Sequence, residues 1–374
     1  MQLDSIELNN FRNYKKLNLK FPRKKTLLTG KNAQGKTNLL ESIYYLSNLA
    51  SGRIKKDSEL VMFGEERALI KAQILKSGVD TELEVEISPP KNKVLKVNGL
   101  KKSKSKDFLR VLSVVNFSTC DLLLLRGEPQ DRRKWLDLAI CQIYPVYAER
   151  MAKYSKIRLQ KGNLLANGCS SAQLLDVFNT QLAVSGANII FLRQKFLKEL
   201  EKVATQKHSA ISPTEVLSLK YDTTVQGESA KEITESLSLK LEELKNDEIR
   251  RAQCLVGPHR DDISYFINNV DSKKFASQGQ QRTVVLALKL AELEIIKQKN
   301  DESPLLLLDD VLAELDSVRQ NFLLSAIESD IQTIITSVDT LGFDREFLED
   351  VDVVKIENGE IIGTNTVLES QGSR

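Results

Sequence analysis

Apolar and polar positions alternate from the start of the chain, with Leu3, Ile6 and Leu8 followed by Leu17, Leu19 and Phe21. The pattern predicts two short strands joined by a turn around Asn13-Tyr14. Thr26-Leu27-Leu28-Thr29 is an apolar-centred strand that runs into a glycine-bearing loop. Beyond it Leu39, Leu40, Ile43, Tyr44 and Leu46 recur at helical spacing. Alternation returns from Ala68 to Val97, with turns at Ser77-Gly78 and Pro89-Pro90, which predicts antiparallel strands.

From about Arg126 to Arg251 the pattern becomes helical. Leu136, Ile140, Ile143 and Tyr147 mark one helix, Leu182, Ile189, Ile190, Leu192 and Phe196 a second, and Ile233–Arg251 a third. Breaks fall at Asn167-Gly168 and through His208–Gly227. Strand texture resumes at Ile263, Tyr265 and Ile267. It is followed by an apolar helix from Val284 to Ile296, a buried strand at Leu305–Leu308, a helix near Val318–Ile327 and a strand at Thr333–Thr336. Strands alternating with helices predict a mainly parallel sheet covered on both faces. The expected division is residues 1–125 plus 252–374 as one discontinuous domain, with 126–251 as a mainly helical insert. Glu369–Arg374 reads as a disordered tail.

Composition narrows the class. The chain has 374 residues, 41% hydrophobic and 28% charged, as an ordinary globular protein has. No run approaches the ~18 uninterrupted apolar residues of a membrane helix. The acidic, alternating N-terminus does not resemble a secretory signal, so a cytoplasmic location without membrane attachment is expected. The four cysteines form no C-x-x-C pair, and with only two histidines a zinc site or disulfide framework is not expected. The net charge of +3 is small, but it is unevenly spread. Lys91–Arg110 carries eight basic residues against Asp107, and Arg132-Arg133-Lys134, Lys153, Lys156, Arg158 and Lys161 follow. Such a face suits phosphates, or it is simply solvated surface.

Three segments carry chemistry. Gly30-Lys31-Asn32-Ala33-Gln34-Gly35-Lys36-Thr37 fits G-x-x-x-x-G-K-[ST] between a predicted strand and a predicted helix. Backbone N–H groups of such a loop curl around a β-phosphate at a helix N-terminus. Lys36 adds charge at the β- and γ-phosphates, and the Thr37 hydroxyl suits Mg²⁺. Leu305–Leu308 ends in Asp309 and Asp310, which a buried strand delivers to the carboxyl edge of the sheet. Asp309 is then a Mg²⁺ ligand, direct or through water, and Asp310 the group that orients or deprotonates an attacking water. Ser277-Gln278-Gly279-Gln280-Gln281-Arg282 opens the apolar helix. Ser277 is an N-cap and Gly279 permits close backbone approach, so a second anion site or an ordinary cap is expected.

These segments, with Glu314-Leu315-Asp316 after them, occur in the order seen in ATP-binding-cassette ATPases, which the chain resembles. The long stretch between Thr37 and Ser277 is similar to the SMC-type branch, although the insert is too short for that branch's long coiled coil. Leu8–Tyr14, Gly127–Asp137, Gly257–Asp262 and Ser277–Arg282 narrow the likeness to DNA-repair members of the branch.

The resemblance implies an α/β fold: an ABC-type P-loop ATPase head with an inserted, mainly helical lever arm. It implies an ATP-dependent homodimer in which Ser277, Gly279 and Gln280 of one copy act on the nucleotide held by Lys36 and Thr37 of the other. Double-stranded DNA and single/double-strand junctions are the implied DNA partners, with RecR and RecO as protein partners and RecA loaded indirectly. The resemblance also implies Arg12 as a nucleotide contact. Asp310 stands where many cassette ATPases have glutamate, and Ser337 where they have histidine after the Thr333–Thr336 strand, so slow, switch-like hydrolysis is expected. The alternative is the ATPase subunit of a membrane transporter. The long insert, and Ala276 and Gln278 in the signature, speak against it. An ATPase joined to a nuclease is a third reading, for which too little chain follows Asp316.

Overall fold

The computed structural model describes residues 1–109, 111–168, 171–327, 330–341, 343 and 345–365. The expected tail at Glu369–Arg374 lies outside them. The chain divides into two compact units, Met1–Asp121 with Ile296–Arg374, and Leu122–Ile295.

The first unit opens with strands β1 (Gln2–Phe11), β2 (Tyr14–Lys20) and β3 (Lys25–Thr29), then helix α1 (Lys36–Asn48). Strands β4 (Ala68–Lys76), β5 (Val79–Ile87), β6 (Val94–Val97) and β7 (Leu100–Lys102) follow, then a single turn α2 (Lys106–Leu109) and β8 (Val114–Ser118). An antiparallel sheet of order β2-β1-β4-β5-β6-β7 results. In β1 the spacing Leu3, Ile6, Leu8 breaks strict alternation, yet all three are buried. The register against β4 shifts between Leu3 and Ser5, and that irregularity returns the apolar side chains to one face.

The second unit begins with the turn α3 (Leu123–Arg126) and helices α4 (Pro129–Ile143), α5 (Val146–Ala166) and α6 (Ala172–Ile211). It continues through β9 (Leu217–Asp222), α7 (Ala230–Glu243), α8 (Lys245–Arg251), β10 (Asp262–Ile267), β11 (Val270–Asp271), the turn α9 (Ser272–Phe275) and α10 (Gln278–Asn300). Three expectations need correcting. The helix expected through Tyr147 stops at Ile143, because Tyr144-Pro145 breaks it and Pro145 caps α5. The expected third helix is two, α7 and α8. The stretch read as a break holds the last turn of α6 and strand β9, which pairs with β10.

That pairing also moves the expected boundary at 252. Residues 252–295 belong to this unit because β10 is bonded to β9, and Val284, Leu288 and Ala291 of α10 share one core with Leu136, Ile190 and Leu237. Helix α6 is long and apolar enough, by length and composition, to cross a membrane. Its apolar stripe, including Leu182, Ile190, Phe196 and Leu200, is buried within the unit, as a core helix requires.

The first unit resumes with β12 (Leu305–Asp309), α11 (Ser317–Ala326), β13 (Thr333–Ser337), the turn α12 (Arg345–Glu349), β14 (Asp352–Glu357) and β15 (Glu360–Asn365). Its second sheet has the order β15-β14-β3-β13-β12-β8. Strands β14, β3, β13, β12 and β8 run parallel. Leu27, Leu28, Leu305–Leu308, Ile334 and Ile335 are buried, as a parallel sheet demands. Because β13 lies between β3 and β12, the carboxyl ends of all three meet at one edge: the Gly30 loop, Thr336-Ser337 and Asp309-Asp310.

Candidate nucleotide-binding site

The loop after β3 is built around two glycines. Gly30 has φ of 152°, and a Cβ there would stand 2.3 Å from the Ile356 carbonyl oxygen. Gly35 has φ of 116°, and a Cβ would meet the Asn13 side chain at 2.7 Å. Any side chain would therefore open the loop. Its apex is fastened from outside. Asn13 Nδ2 and the Gly359 N–H donate to the Gln34 carbonyl at 3.2 and 2.9 Å, and the buried Tyr14 hydroxyl donates to the Gly35 carbonyl at 2.9 Å.

Helix α1 begins at Lys36 with no side-chain cap and no acid in its first turn. Its first amides are thus left for an anion. The buried Lys36 ammonium donates to the carbonyls of Gly30 and Lys31 at 2.6 and 3.1 Å, two of its three N–H bonds.

Thr37 Oγ1 donates to Asp309 Oδ1 at 2.8 Å, so the loop and the acidic end of β12 are in direct contact. Burial pushes the Asp309 carboxyl above its ordinary pKa, the Thr37 hydroxyl opposes this, and the charge of Asp310 adds to it. Thr336 lies between the two acids. Its hydroxyl accepts from the Asp310 N–H at 2.8 Å and stands 3.0 Å from Asp310 Oδ1 and 3.2 Å from Asp309 Oδ1. Asp310 itself has φ of 55°, a left-handed conformation that aspartate tolerates better than most residues. Sequence reasoning did not single out Thr336. The available signal was a polar residue closing an apolar strand at the edge where the two acids emerge.

Arg12, expected against the nucleotide, has all three side-chain nitrogens bonded to neighbouring segments. Nε and Nη2 grip Glu41 at 2.9 and 3.0 Å, and Nη1 donates to the Glu59 carbonyl at 2.8 Å. Glu41 lies on α1 five residues past Lys36 and also accepts from Ser51 at 2.6 Å and Arg53 at 3.3 Å. Arg12 thereby braces the helix that carries Lys36 and Thr37.

In the second unit Ser277 does cap α10, and reciprocally. Gln280 N–H donates to Ser277 Oγ at 3.2 Å while Ser277 N–H donates to Gln280 Oε1 at 2.8 Å. Gln281 is fixed by Arg126 Nε at 2.6 Å. Ser277 is exposed at the start of the helix and Gly279 is half-buried.

The expected basic face is only partly available. Arg132 is buried and bidentate to Asp262 at 2.7 and 2.8 Å, and Lys161 is buried against Glu248. Both belong to the core of the second unit, because each cation meets an acid from a neighbouring segment. Lys93 is tied to Tyr45 and Asp57, and Lys96 to Glu84. Arg150, Lys153, Lys156 and Arg158 are exposed along α5.

His259 is structural. Its Nδ1 accepts from the Tyr154 hydroxyl at 2.7 Å, its Nε2 is 3.2 Å from the Cys254 carbonyl, and burial lowers its pKa to about 4.

The RecF/RecN/SMC N-terminal domain family matches residues 2–360. A DNA replication and repair protein RecF of Bacillus cereus (strain G9842) is 40% identical over 375 residues, covering 96% of this chain and 98% of that protein. The chain belongs to the RecF family. The RecF of Ligilactobacillus salivarius (strain UCC118) is 38% identical, covering 98% of both chains.

A solved structure of the recombination mediator RecF with ATP, from the RecFOR pathway, superposes on this RecF-family chain with a TM-score of 0.89 at 34% identity over 96% of each. An Smc head bound to the winged-helix domain of ScpA matches with a TM-score of 0.56 at 14% identity, a likeness of fold alone. The expected fold, an ABC-type P-loop ATPase head carrying a mainly helical insert, is the one these matches show. They do not favour a transporter subunit.

Proposed function

We propose that the chain is an ATP-dependent DNA clamp of recombinational repair whose nucleotide is shared between two copies. Loop 30–37 and Lys36 hold the triphosphate of ATP against the uncapped start of α1. Ser277, Gly279 and Gln280 of a second copy cover the γ-phosphate with the start of α10. The contact between Thr37 and Asp309 carries the reading, because it sets a hydroxyl and a carboxylate oxygen side by side at the end of a phosphate loop. These hard donors fit Mg²⁺, which when bound neutralises charge on the phosphate oxygens. Asp310, positioned through Thr336, orients and deprotonates the attacking water. With a carboxylate one methylene shorter than glutamate, and Ser337 in place of a histidine, hydrolysis is slow and resets the clamp rather than powering it.

Joined copies present duplex DNA or a single/double-strand junction with exposed cations such as Lys153 and Lys156, which bind mainly phosphates. By family, RecR and RecO are the protein partners and RecA is loaded indirectly. Light scattering with no nucleotide, ADP and ATP tests the reading. A monomer that becomes a dimer only with ATP is expected, and a monomer in all three would overturn it.

A further inference from the structure

The cap of the signature helix does not end at Gln280. Gln280 Nε2 donates to Glu215 Oε1 at 2.8 Å, and Glu215 stands in the turn between α6 and β9. Its other oxygen, Oε2, is buried without a hydrogen-bond partner among the described residues, as are both ring nitrogens of His208 on the last turn of α6. His208 Nε2 and Glu215 Oε2 are 3.7 Å apart, beyond a hydrogen bond but within reach of one after a small side-chain rotation. The His208 ring packs beside the Glu215 segment, and its Nε2 and the buried Oε2 of Glu215 face each other unbonded; a closer arrangement would satisfy both.

We propose that Glu215 is a positioning residue that exchanges partners. It holds Gln280 while Ser277 caps its own helix, and it closes on His208 when Ser277 is drawn to a triphosphate. The inference rests on the shared-site reading above. Neutral His208 donates its Nε2–H to Glu215, so the exchange needs no proton from solvent. The consequence is mechanical: closure of the nucleotide site reaches the end of the 40-residue helix α6, the longest element of the insert.

The chain contains only two histidines, so ¹⁵N-histidine labelling gives two imidazole spin systems. At pH 7.5, addition of ATP and Mg²⁺ should shift the His208 signals toward a hydrogen-bonded N–H, while those of His259, locked by Tyr154, stay in place. Glu215→Ala should abolish the His208 response and raise the protein concentration needed for the ATP dimer roughly tenfold, with binding of a fluorescent ATP analogue to the monomer unchanged. Glu215→Gln keeps a side-chain acceptor for the His208 N–H and should restore most dimerisation. Wild-type dimers forming with ATP while His208 stays silent would overturn the exchange and leave the shared site standing. Failure of the wild type to dimerise at all would instead strike the shared site and the exchange with it.

Discussion

Thr37 and Asp309 are separated by 272 positions in the chain, yet the hydroxyl of one donates to the carboxylate of the other at 2.8 Å. Two strands of a parallel sheet bring them there, each emptying at the same edge. The contact places the hydroxyl that ends the phosphate loop against the first acid of β12, and it gives the first prediction. Thr37→Val should weaken Mg²⁺-dependent binding of ATP about tenfold or more, while metal-free nucleotide binding changes little. Isothermal titration with and without Mg²⁺ checks the split.

Thr336 supplies the second. Its hydroxyl is the acceptor for the Asp310 N–H and lies beside both carboxylates. Thr336→Val leaves that amide unpaired and frees Asp310 to wander. Hydrolysis should fall roughly tenfold with ATP affinity nearly unchanged, as expected for a group that matters only once ATP is bound. Single-turnover assays with radiolabelled ATP read both quantities.

Acidification gives the third. The folded-state pKa of His259 is about 4 against an ordinary 6.5, so the unfolded chain takes up a proton first. The stability this residue contributes is whole above pH ~6.5 and drains away between about 6.5 and 4, as much as about 3 kcal/mol. His208, also lowered by burial, acts in the same direction. Urea midpoints measured across that range should fall more steeply for wild type than for His259→Gln.

DNA binding separates the buried from the exposed cations. Lys153→Ala and Lys156→Ala should each weaken duplex binding at all sequences and lower the slope of log affinity against log salt by about one. Arg132→Ala should act on stability instead. It strips the partner from Asp262 and should cost about 3 kcal/mol of unfolding free energy. Fluorescence anisotropy at several salt concentrations and chemical denaturation distinguish the two behaviours.

Much of the site could be read from the chain alone because its chemistry is local. The loop from Gly30 to Thr37 declares itself by spacing, and Leu305–Asp310 by an apolar run that stops at two acids. What escaped is non-local. Thr336 becomes a site residue only because β13 lies between β3 and β12, and strand order is not written in β13 itself. Arg132 reads as part of a basic run until Asp262, 130 positions on, is seen to neutralise it. The second domain boundary is hidden for the same reason: β9 is six residues long, and its bonding to β10, with the packing of α10, shows that the chain after 252 belongs to the insert's core.

Whether one nucleotide is gripped by two copies is tested most directly by mixing two variants. Lys36→Ala removes the phosphate-loop charge, and Ser277→Arg blocks the start of α10. Neither variant alone should dimerise with ATP, because every site is broken. Mixed, they form heterodimers in which one site joins an intact Lys36 loop to an intact Ser277 helix. ATP-dependent dimers are expected in the mixture by light scattering. A mixture that stays monomeric while wild type dimerises, or a Ser277→Arg protein that dimerises unaided, would contradict it.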